Sequence, residues 1–272
     1  LFLSASYGSG HNSAGAAIAE ALTERRPGLR VEVIDYFSWF VGRWARTLVT
    51  FSFVQSIRRV PSLYRSFYWR TAELPLGSAA HRRLHQAGRS GFAQFCGSMP
   101  YRAVVCLHNT PAGAAAELRA AGVVPCPVAV VVTDHAVHSQ WMHPGADLTL
   151  VPSESVRQGF IERGMPAERV RHTGIPIRRA FAEPVDRDSA RREFGLDPSR
   201  PVVLVGPEAF GATQAAREAF GVLSRMPGVQ VVFVGGTGAR AVEVRTRLAS
   251  RCPDRMRAMG HIDAMHRLMG AA

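Results

Sequence analysis

Short apolar runs alternate with longer amphipathic stretches along most of this chain. The runs at 1–5, 101–107 and 127–133 are nearly continuous, which is typical of strands buried on both faces of a sheet. Stretches with helical spacing follow, beginning near residues 12 and 112. Strands that alternate with helices indicate a mostly parallel sheet with right-handed crossovers. We therefore predict an α/β fold.

The same pattern predicts the other elements. Further strands are expected at 30–35, 147–151, 170–173, 202–205, 229–234 and 256–259. Helices are expected at 12–24, 77–96, 112–121, 153–163, 189–194, 213–225 and 239–251, and Pro61 divides 36–72 into two helical pieces.

A polar, charged stretch with two prolines, 184–200, interrupts this series. We predict a first domain at 1–183, a linker at 184–200 and a second domain at 201–272 that is incomplete. The chain begins inside a strand without a methionine and ends within a helical pattern. We therefore expect it to be a fragment of a longer protein.

Candidate chemistry collects where the predicted strands end, which is where ligands bind in open parallel sheets. His11, His108, Asp134, His138 and Gly174 all lie at such ends. At the first of them, strand, glycine turn and helix would aim helix N–H groups at an anion. The glycine spacing there differs from G-x-G-x-x-G, and no acid is placed for a ribose, which argues against a nicotinamide oxidoreductase.

His11 stands at the mouth of this turn, where a neutral imidazole can take a proton from a substrate hydroxyl. The alternative is a polar loop residue that caps the helix. For Asp134, the alternative to a functional role is that it caps the end of a strand. For His138, the alternative is a hydrogen bond inside the core.

The net charge of the chain indicates which kinds of binding partner suit it. The net charge is +12, and all 33 basic residues are arginine, which binds phosphate and carboxylate bidentately. The four cysteines lack metal-ligand spacing, so we expect reduced thiols in a cytosolic protein. No signal peptide is recognisable, and no uncharged run is long enough to span a bilayer.

The segment 36–72 holds 11 of the 23 aromatic residues together with six arginines, and no acid lies between Asp35 and Glu73. Such a composition suits the headgroup region of an anionic bilayer. The alternative is a pair of core helices with solvated arginines. Single-stranded nucleic acid is disfavoured because the aromatic residues follow helical spacing, with no stacking sheet. The candidate membrane contacts are Trp39, Trp44, Arg58, Arg59, Tyr68 and Trp69.

Several motifs, in this order, resemble the family 28 glycosyltransferases that build glycolipids, in particular processive diacylglycerol glucosyltransferases and monogalactosyldiacylglycerol synthases. They are S-A-S-Y-G-S-G-H at 4–11, L-Y-R-S-F-Y-W at 63–69, T-D-H-A-V-H-S-Q-W at 133–141, G-I-P-I-R at 174–178 and G-H-I at 260–262.

The resemblance implies a GT-B fold, with two Rossmann-like domains facing a cleft, and inverting transfer of a hexose from UDP-glucose or UDP-galactose. It implies diacylglycerol or a glycosylated diacylglycerol as acceptor, no cofactor or metal, and a peripheral site at the inner face of the cell membrane. His11 and Asp134 would be catalytic. Acceptor or phosphate binding would fall to Gly8, Gly10, Asn12, His108, His138 and Trp141. Donor binding would fall to Arg178, Gly206, Gly211, Gly235, Gly260 and His261.

Two departures limit the resemblance. His261 stands where an aromatic residue is common, and the family's P-G-G donor motif does not occur in these 272 residues. We therefore expect weak donor binding and little activity in this chain by itself. A transferase acting on a polyprenyl-linked cell-wall precursor and a non-catalytic lipid-binding fragment are the alternatives.

Overall fold

A computed structural model describes most of the chain. It covers residues 1–5, 9–42, 61–206, 214–235, 242–243, 246–247 and 249–272. Contacts divide the chain into two units, Leu1–Arg179 and Ala180–Ala272. Each unit carries its own parallel sheet with helices, so the predicted α/β class is confirmed.

The first unit is built on six parallel strands in the order β2-β1-β3-β4-β5-β6. Their bounds are β1 Phe2–Ser4, β2 Val33–Asp35, β3 Val104–Cys106, β4 Val128–Val131, β5 Leu148–Val151 and β6 Val170–His172. Because all six run the same way, their carboxyl ends share one edge of the sheet. The predicted strand ends therefore meet along that edge.

Helices connect these strands. They are α1 Ser9–Arg25, α2 Tyr36–Phe40, α3 Pro61–Ala72, α4 Ala79–Arg83, α5 Arg89–Cys96, α6 Asn109–Ala120 and α7 Glu154–Glu162. Single 3-10 turns lie at Ser139–Trp141, Ala167–Arg169 and Arg179–Phe181. The predicted first residues of three helices, 12, 112 and 153, lie within three residues of the observed first residues of α1, α6 and α7.

Both faces of the first sheet are buried, as the continuous apolar runs predict. Leu3 and Val130 belong to one apolar cluster, whereas their neighbours Phe2 and Val131 belong to another. Successive residues of a strand point to opposite faces, so the two clusters are the two sides of this sheet. Small residues let α6 approach closely, and most of its alanines are fully buried.

The prediction of one continuous helix at 77–96 is wrong. The segment 77–96 forms two short helices, α4 and α5, instead of one. Gly88 lies between them with φ +78°, and a Cβ there would sit 2.9 Å from the Tyr36 ring. The chain turns sharply at a position where a residue with a side chain would be strained.

The second unit has three parallel strands in the order β7-β8-β9, with bounds Val202–Val205, Gln230–Val234 and Met256–Met259. Its helices are α8 Arg187–Glu193, α9 Gln214–Leu223 and α10 Met265–Ala271. The predicted helix 239–251 lies partly outside the described residues. The segment 184–200, predicted as a linker, contains α8 and gives Ala190 and Leu196 to the core of this unit.

Candidate functional site

His11 lies in the first turn of α1, because the helix begins at Ser9 instead of the predicted residue 12. The first four N–H groups of a helix have no partner within it, and the dipole there is positive. The cap that we considered for His11 is therefore not its role, since the residue is inside the helix. Gly10 lies beside it, with open space where a Cβ would be.

The His11 ring is half-buried against the carboxyl edge of the sheet. Its Nδ1 is 3.0 Å from the hydroxyl oxygen of Thr133, which comes two residues after β4. The ring centroid lies 5.1 Å from that of His108 and 6.0 Å from that of Trp141. The sheet therefore brings together residues more than a hundred positions apart.

Burial lowers the pKa of His11 below its ordinary value, while the Asp134 carboxylate and the Leu107 backbone oppose this in part. Burial is the larger effect, so the imidazole is neutral at pH 7. A neutral ring can accept a proton, and the nearby carboxylate would stabilise the imidazolium that results.

Asp134 is held in place by the indole of Trp141, whose Nε1 donates to its Oδ2 at 2.8 Å. Trp141 itself is 2% exposed and belongs to the main apolar cluster. We predicted Trp141 as an acceptor-binding residue, but burial leaves it almost no surface for a ligand. Its role in this structure is to orient the carboxylate.

His108 caps α6, where its Nδ1 accepts from the Thr110 N–H at 3.2 Å. Burial and the neighbouring His11 lower the pKa of His108 to about 3. A neutral ring brings no positive charge to a phosphate. The structure thus places this predicted phosphate-binding residue beside His11, as a helix cap.

His138 is also 2% exposed, and its two ring nitrogens bond inside the protein. Nδ1 accepts from the Gln140 N–H at 3.2 Å, and Nε2 donates to the Tyr68 carbonyl at 3.0 Å. Of the two roles considered for His138, the structure favours the core hydrogen bond over acceptor contact. Ser139 adds a second link, since its hydroxyl donates to the Thr71 carbonyl at 2.5 Å. Together they fasten α3 to the loop after β4.

Asn12 is exposed near the start of α1, and its Oδ1 accepts from the buried hydroxyl of Ser4. This bond ties the end of β1 to the first turn of the helix. Asn12 therefore shapes the turn, and the remaining predicted turn residue, Gly8, lies outside the described residues.

The predicted donor residues of the second unit follow its three strands directly. Gly206, Gly235 and Gly260 come after β7, β8 and β9, so they share one edge of the parallel sheet. The Gly235 N–H donates to the carbonyls of Met259 and Gly260, at 3.1 and 3.2 Å. His261 is well exposed and lies 3.2 Å from the Asp263 carboxylate.

Arg178 is exposed and belongs to the first unit. Gly211 lies outside the described residues.

The aromatic segment is described only in part, and Trp44, Arg58 and Arg59 lie outside the description. Trp39, Phe67 and Trp69 are 57%, 51% and 60% exposed, which is unusual for such large apolar side chains. Tyr68 is partly buried, and its ring lies 4.4 Å from that of His138. No helix in the described part of the chain is both long and apolar enough to cross a membrane.

A groove of about 360 Å³ beside α3 contains none of the predicted site residues; it is lined by Glu73, Leu74, Pro75, Leu76, Ser139, Met142 and Arg163. Sequence reasoning missed two features. The first is Thr133, which stands directly before Asp134 at a strand end and bonds to His11. The second is a cluster of three buried histidines, His81, His85 and His143, which could hold a metal ion. Its signal was the four-residue spacing of the first two.

The profile of a family described as monogalactosyldiacylglycerol (MGDG) synthase matches residues 11–177, from His11 through the strand-end cluster. The chain belongs to this family. The resemblance to family 28 glycosyltransferases that the motifs indicate is thereby confirmed.

Similarity to individual proteins supports the same family assignment. A processive diacylglycerol β-glucosyltransferase of Staphylococcus epidermidis is 30% identical over 149 residues, which are 54% of this chain and 37% of that protein. A protein of the same name from Bacillus cereus is 26% identical over 280 residues, 98% of this chain and 68% of its own length. The chain thus spans about a third to two thirds of these relatives.

Solved structures show the same architecture. Anabaena Alr3699/HepE in complex with UDP and glucose gives a TM-score of 0.56 at 15% identity, covering 100% of this chain and 71% of that one. Staphylococcus aureus MnaA with UDP gives 0.57 at 11% identity, covering 99% and 70%. Likeness at these identities concerns the fold alone, and the fold class is GT-B, as the MGDG synthase resemblance implies.

Proposed function

We propose that this MGDG synthase family member transfers a hexose from a UDP-sugar to diacylglycerol or a glycosyl-diacylglycerol at a membrane surface. Family membership supports a lipid acceptor, since the relatives are named diacylglycerol glucosyltransferases. The structures of similar fold hold UDP, with glucose in one case, which supports a UDP-sugar donor.

One observation carries the mechanism: His11 Nδ1 lies 3.0 Å from the Thr133 hydroxyl, burial lowers the pKa of the ring, and the Asp134 carboxylate opposes that shift in part. If Nδ1 donates to the Thr133 hydroxyl, the lone pair is on Nε2. The acceptor hydroxyl would give its proton to Nε2 while its oxygen attacks the anomeric carbon. The bond from that carbon to UDP breaks, and UDP leaves with the electron pair. Inversion at the anomeric carbon follows from this single displacement.

Asp134 contributes by stabilising the imidazolium that forms on His11, and Trp141 keeps the carboxylate oriented. The Asn12 bond to Ser4 and the His108 cap shape the two helix starts beside the ring. A general base in position typically supplies about 10²- to 10⁴-fold in rate.

Donor binding is assigned to the strand ends of the second unit. Glycines there let the main chain approach a diphosphate closely, and a guanidinium would oppose the charge of departing UDP. Gly206, Gly235 and Gly260 are the described members of this set.

Membrane contact is assigned to the exposed aromatic residues of α2 and α3. Arg65 and Arg70 are exposed on the same helix as Phe67 and Trp69, which gives it both aromatic and cationic character. Together with the net charge of +12, this suits an anionic surface, and we place the protein at the inner face of the cell membrane.

The test is transfer by the full-length protein from radiolabelled UDP-glucose or UDP-galactose to diacylglycerol in anionic vesicles. We expect label in a glycolipid, with one donor preferred. Label that enters only a polyprenyl-linked precursor would favour the alternative acceptor. Folded protein that labels neither acceptor would contradict the proposed function and favour a lipid-binding role.

A further inference from the structure

Three buried histidines lie outside the site described above. His81 is in α4, His85 follows one turn later, and His143 comes two residues after the 3-10 turn Ser139–Trp141. One nitrogen of each ring lies within 4.8 Å of the others, and the ring centroids are 4.6 to 5.5 Å apart. All three side chains are buried.

Two of these rings bond through Nε2 to a backbone carbonyl, and the Asn109 backbone also bonds to the His143 ring. The Nε2 of His81 donates to the Ser139 carbonyl, and the Nε2 of His143 donates to the Gln140 carbonyl, each at 2.8 Å. A neutral ring that donates from Nε2 has its lone pair on Nδ1. Backbone carbonyls bonded to the outer nitrogen are typical of metal-binding histidines, because they fix the tautomer. The Gly77 N–H approaches His81 Nδ1 at 3.4 Å, a long contact.

His85 supplies the independent observation. It is 1% exposed, and among the described residues neither of its ring nitrogens has a hydrogen-bond partner. An unsatisfied buried polar group is costly and needs an explanation. Gly113 of α6 makes room for this ring, since a Cβ there would lie 2.2 Å from His85 Cγ. The fold thus accommodates an imidazole that it does not otherwise satisfy.

We propose that His81, His85 and His143 bind one divalent transition-metal ion of the zinc type. Imidazole suits Zn²⁺, Cu²⁺ and Ni²⁺, and three imidazole rings converge here in a buried pocket. Bonds of about 2.0–2.1 Å in a tetrahedral site place ligand nitrogens about 3.3 Å apart. From a spread within 4.8 Å, shifts of about an ångström per ring would close the site. The fourth position is left for water.

The ion would join two parts of the first unit: the segment at the end of α4 that carries His81 and His85, and the loop that carries Ser139, Trp141 and His143. None of its three ligands has a part in the proton transfer proposed for His11. Its role is to position the loop that also carries Asp134 and His138. The inference stands without the proposed sugar transfer.

The experiment is a Zn²⁺ titration of the whole chain after chelator treatment, followed by melting and elemental analysis. We expect one Zn²⁺ per chain and a melting temperature that rises with Zn²⁺. His85→Phe keeps a ring of similar shape but has no ligand nitrogen. It should fold, melt at or above the metal-free wild type, and lose the Zn²⁺-dependent rise with at least a hundredfold weaker binding.

His172→Ala is the matched control, because it removes an exposed imidazole of the same unit and should bind Zn²⁺ as the wild type does. His81→Phe is the second ligand variant, so the result does not rest on one substitution. Co²⁺ in place of Zn²⁺ should give the visible absorption of a four-coordinate nitrogen site. Failure of the wild type to retain Zn²⁺, or equal retention by His85→Phe or His81→Phe, would overturn the proposal.

Discussion

At the scale of single residues, two opposing effects decide the state of His11. Removing the ring from water disfavours its charged form, and the Asp134 carboxylate favours it. Because burial is the larger effect, His11 is neutral and competent as a base over the physiological range. The carboxylate then matters most after the proton has moved.

Replacing Asp134 by Asn tests this balance. The proposed base works when deprotonated, so kcat/KM should rise with pH through the His11 pKa, below 6.5. Asp134→Asn removes a charge that raises this pKa, so the acidic limb should move to lower pH while the plateau rate falls about tenfold or more. The amide oxygen can still accept from Trp141 Nε1, which preserves the packing. A limb that stays in place or moves to higher pH would contradict the proposed coupling.

His11 and Asp134 could be found from the sequence because strand ends in a parallel sheet share an edge. The roles of His138 and Trp141 could not, because their burial depends on how α3 and the loop after β4 pack together. The hydrogen bond from Thr133 to His11 also depends on tertiary placement, since 122 positions separate the two.

At the scale of elements, short local signals decided where helices begin and break. Ser153 caps α7 as expected, with its hydroxyl accepting from the Val156 N–H at 3.3 Å. The sequence does not predict the break between α4 and α5, because a single glycine such as Gly88 is tolerated within a helix. Only the fold shows the Tyr36 ring beside it.

Gly88→Ala should therefore destabilise the first unit. The new Cβ would meet the Tyr36 ring at 2.9 Å and the backbone would keep a positive φ, which together cost about 1–3 kcal/mol in the free energy of unfolding. Gly97→Ala is the matched control, since its φ is −63° and its Cβ would meet the Gln94 carbonyl at an ordinary 3.5 Å. Urea denaturation of both variants measures the difference, and equal stabilities would refute the steric argument.

At the scale of the whole molecule, the two α/β units follow from alternating strands and helices, and the sequence shows that alternation plainly. The boundary between the two units is harder to predict from the sequence. The charged segment 184–200 looks like a linker, yet Ala190 of α8 and Leu196, three residues after that helix, are buried in the second core. Because most residues of α8 are charged, the sequence pattern does not reveal that Ala190 on this short helix packs into a core.

The net charge and the exposed aromatic residues predict binding to anionic vesicles. Full-length protein should float with anionic vesicles, float less with zwitterionic ones, and detach as salt screens the arginines. Trp39→Ala with Trp69→Ala should lower the bound fraction severalfold. Val222→Ala with Met226→Ala removes exposed apolar side chains of the second unit and should change nothing. Equal binding by both double variants would exclude the aromatic surface as the contact.

The central claim is that His11 accepts the proton of the acceptor hydroxyl, and the rate of hexose transfer by His11→Ala tests it most directly. His135→Ala serves as the control, because it removes an exposed histidine next to Asp134. We predict that kcat falls by about 10²- to 10⁴-fold in His11→Ala, with the protein folded, and stays near wild type in His135→Ala. Near-normal turnover by His11→Ala would contradict the account.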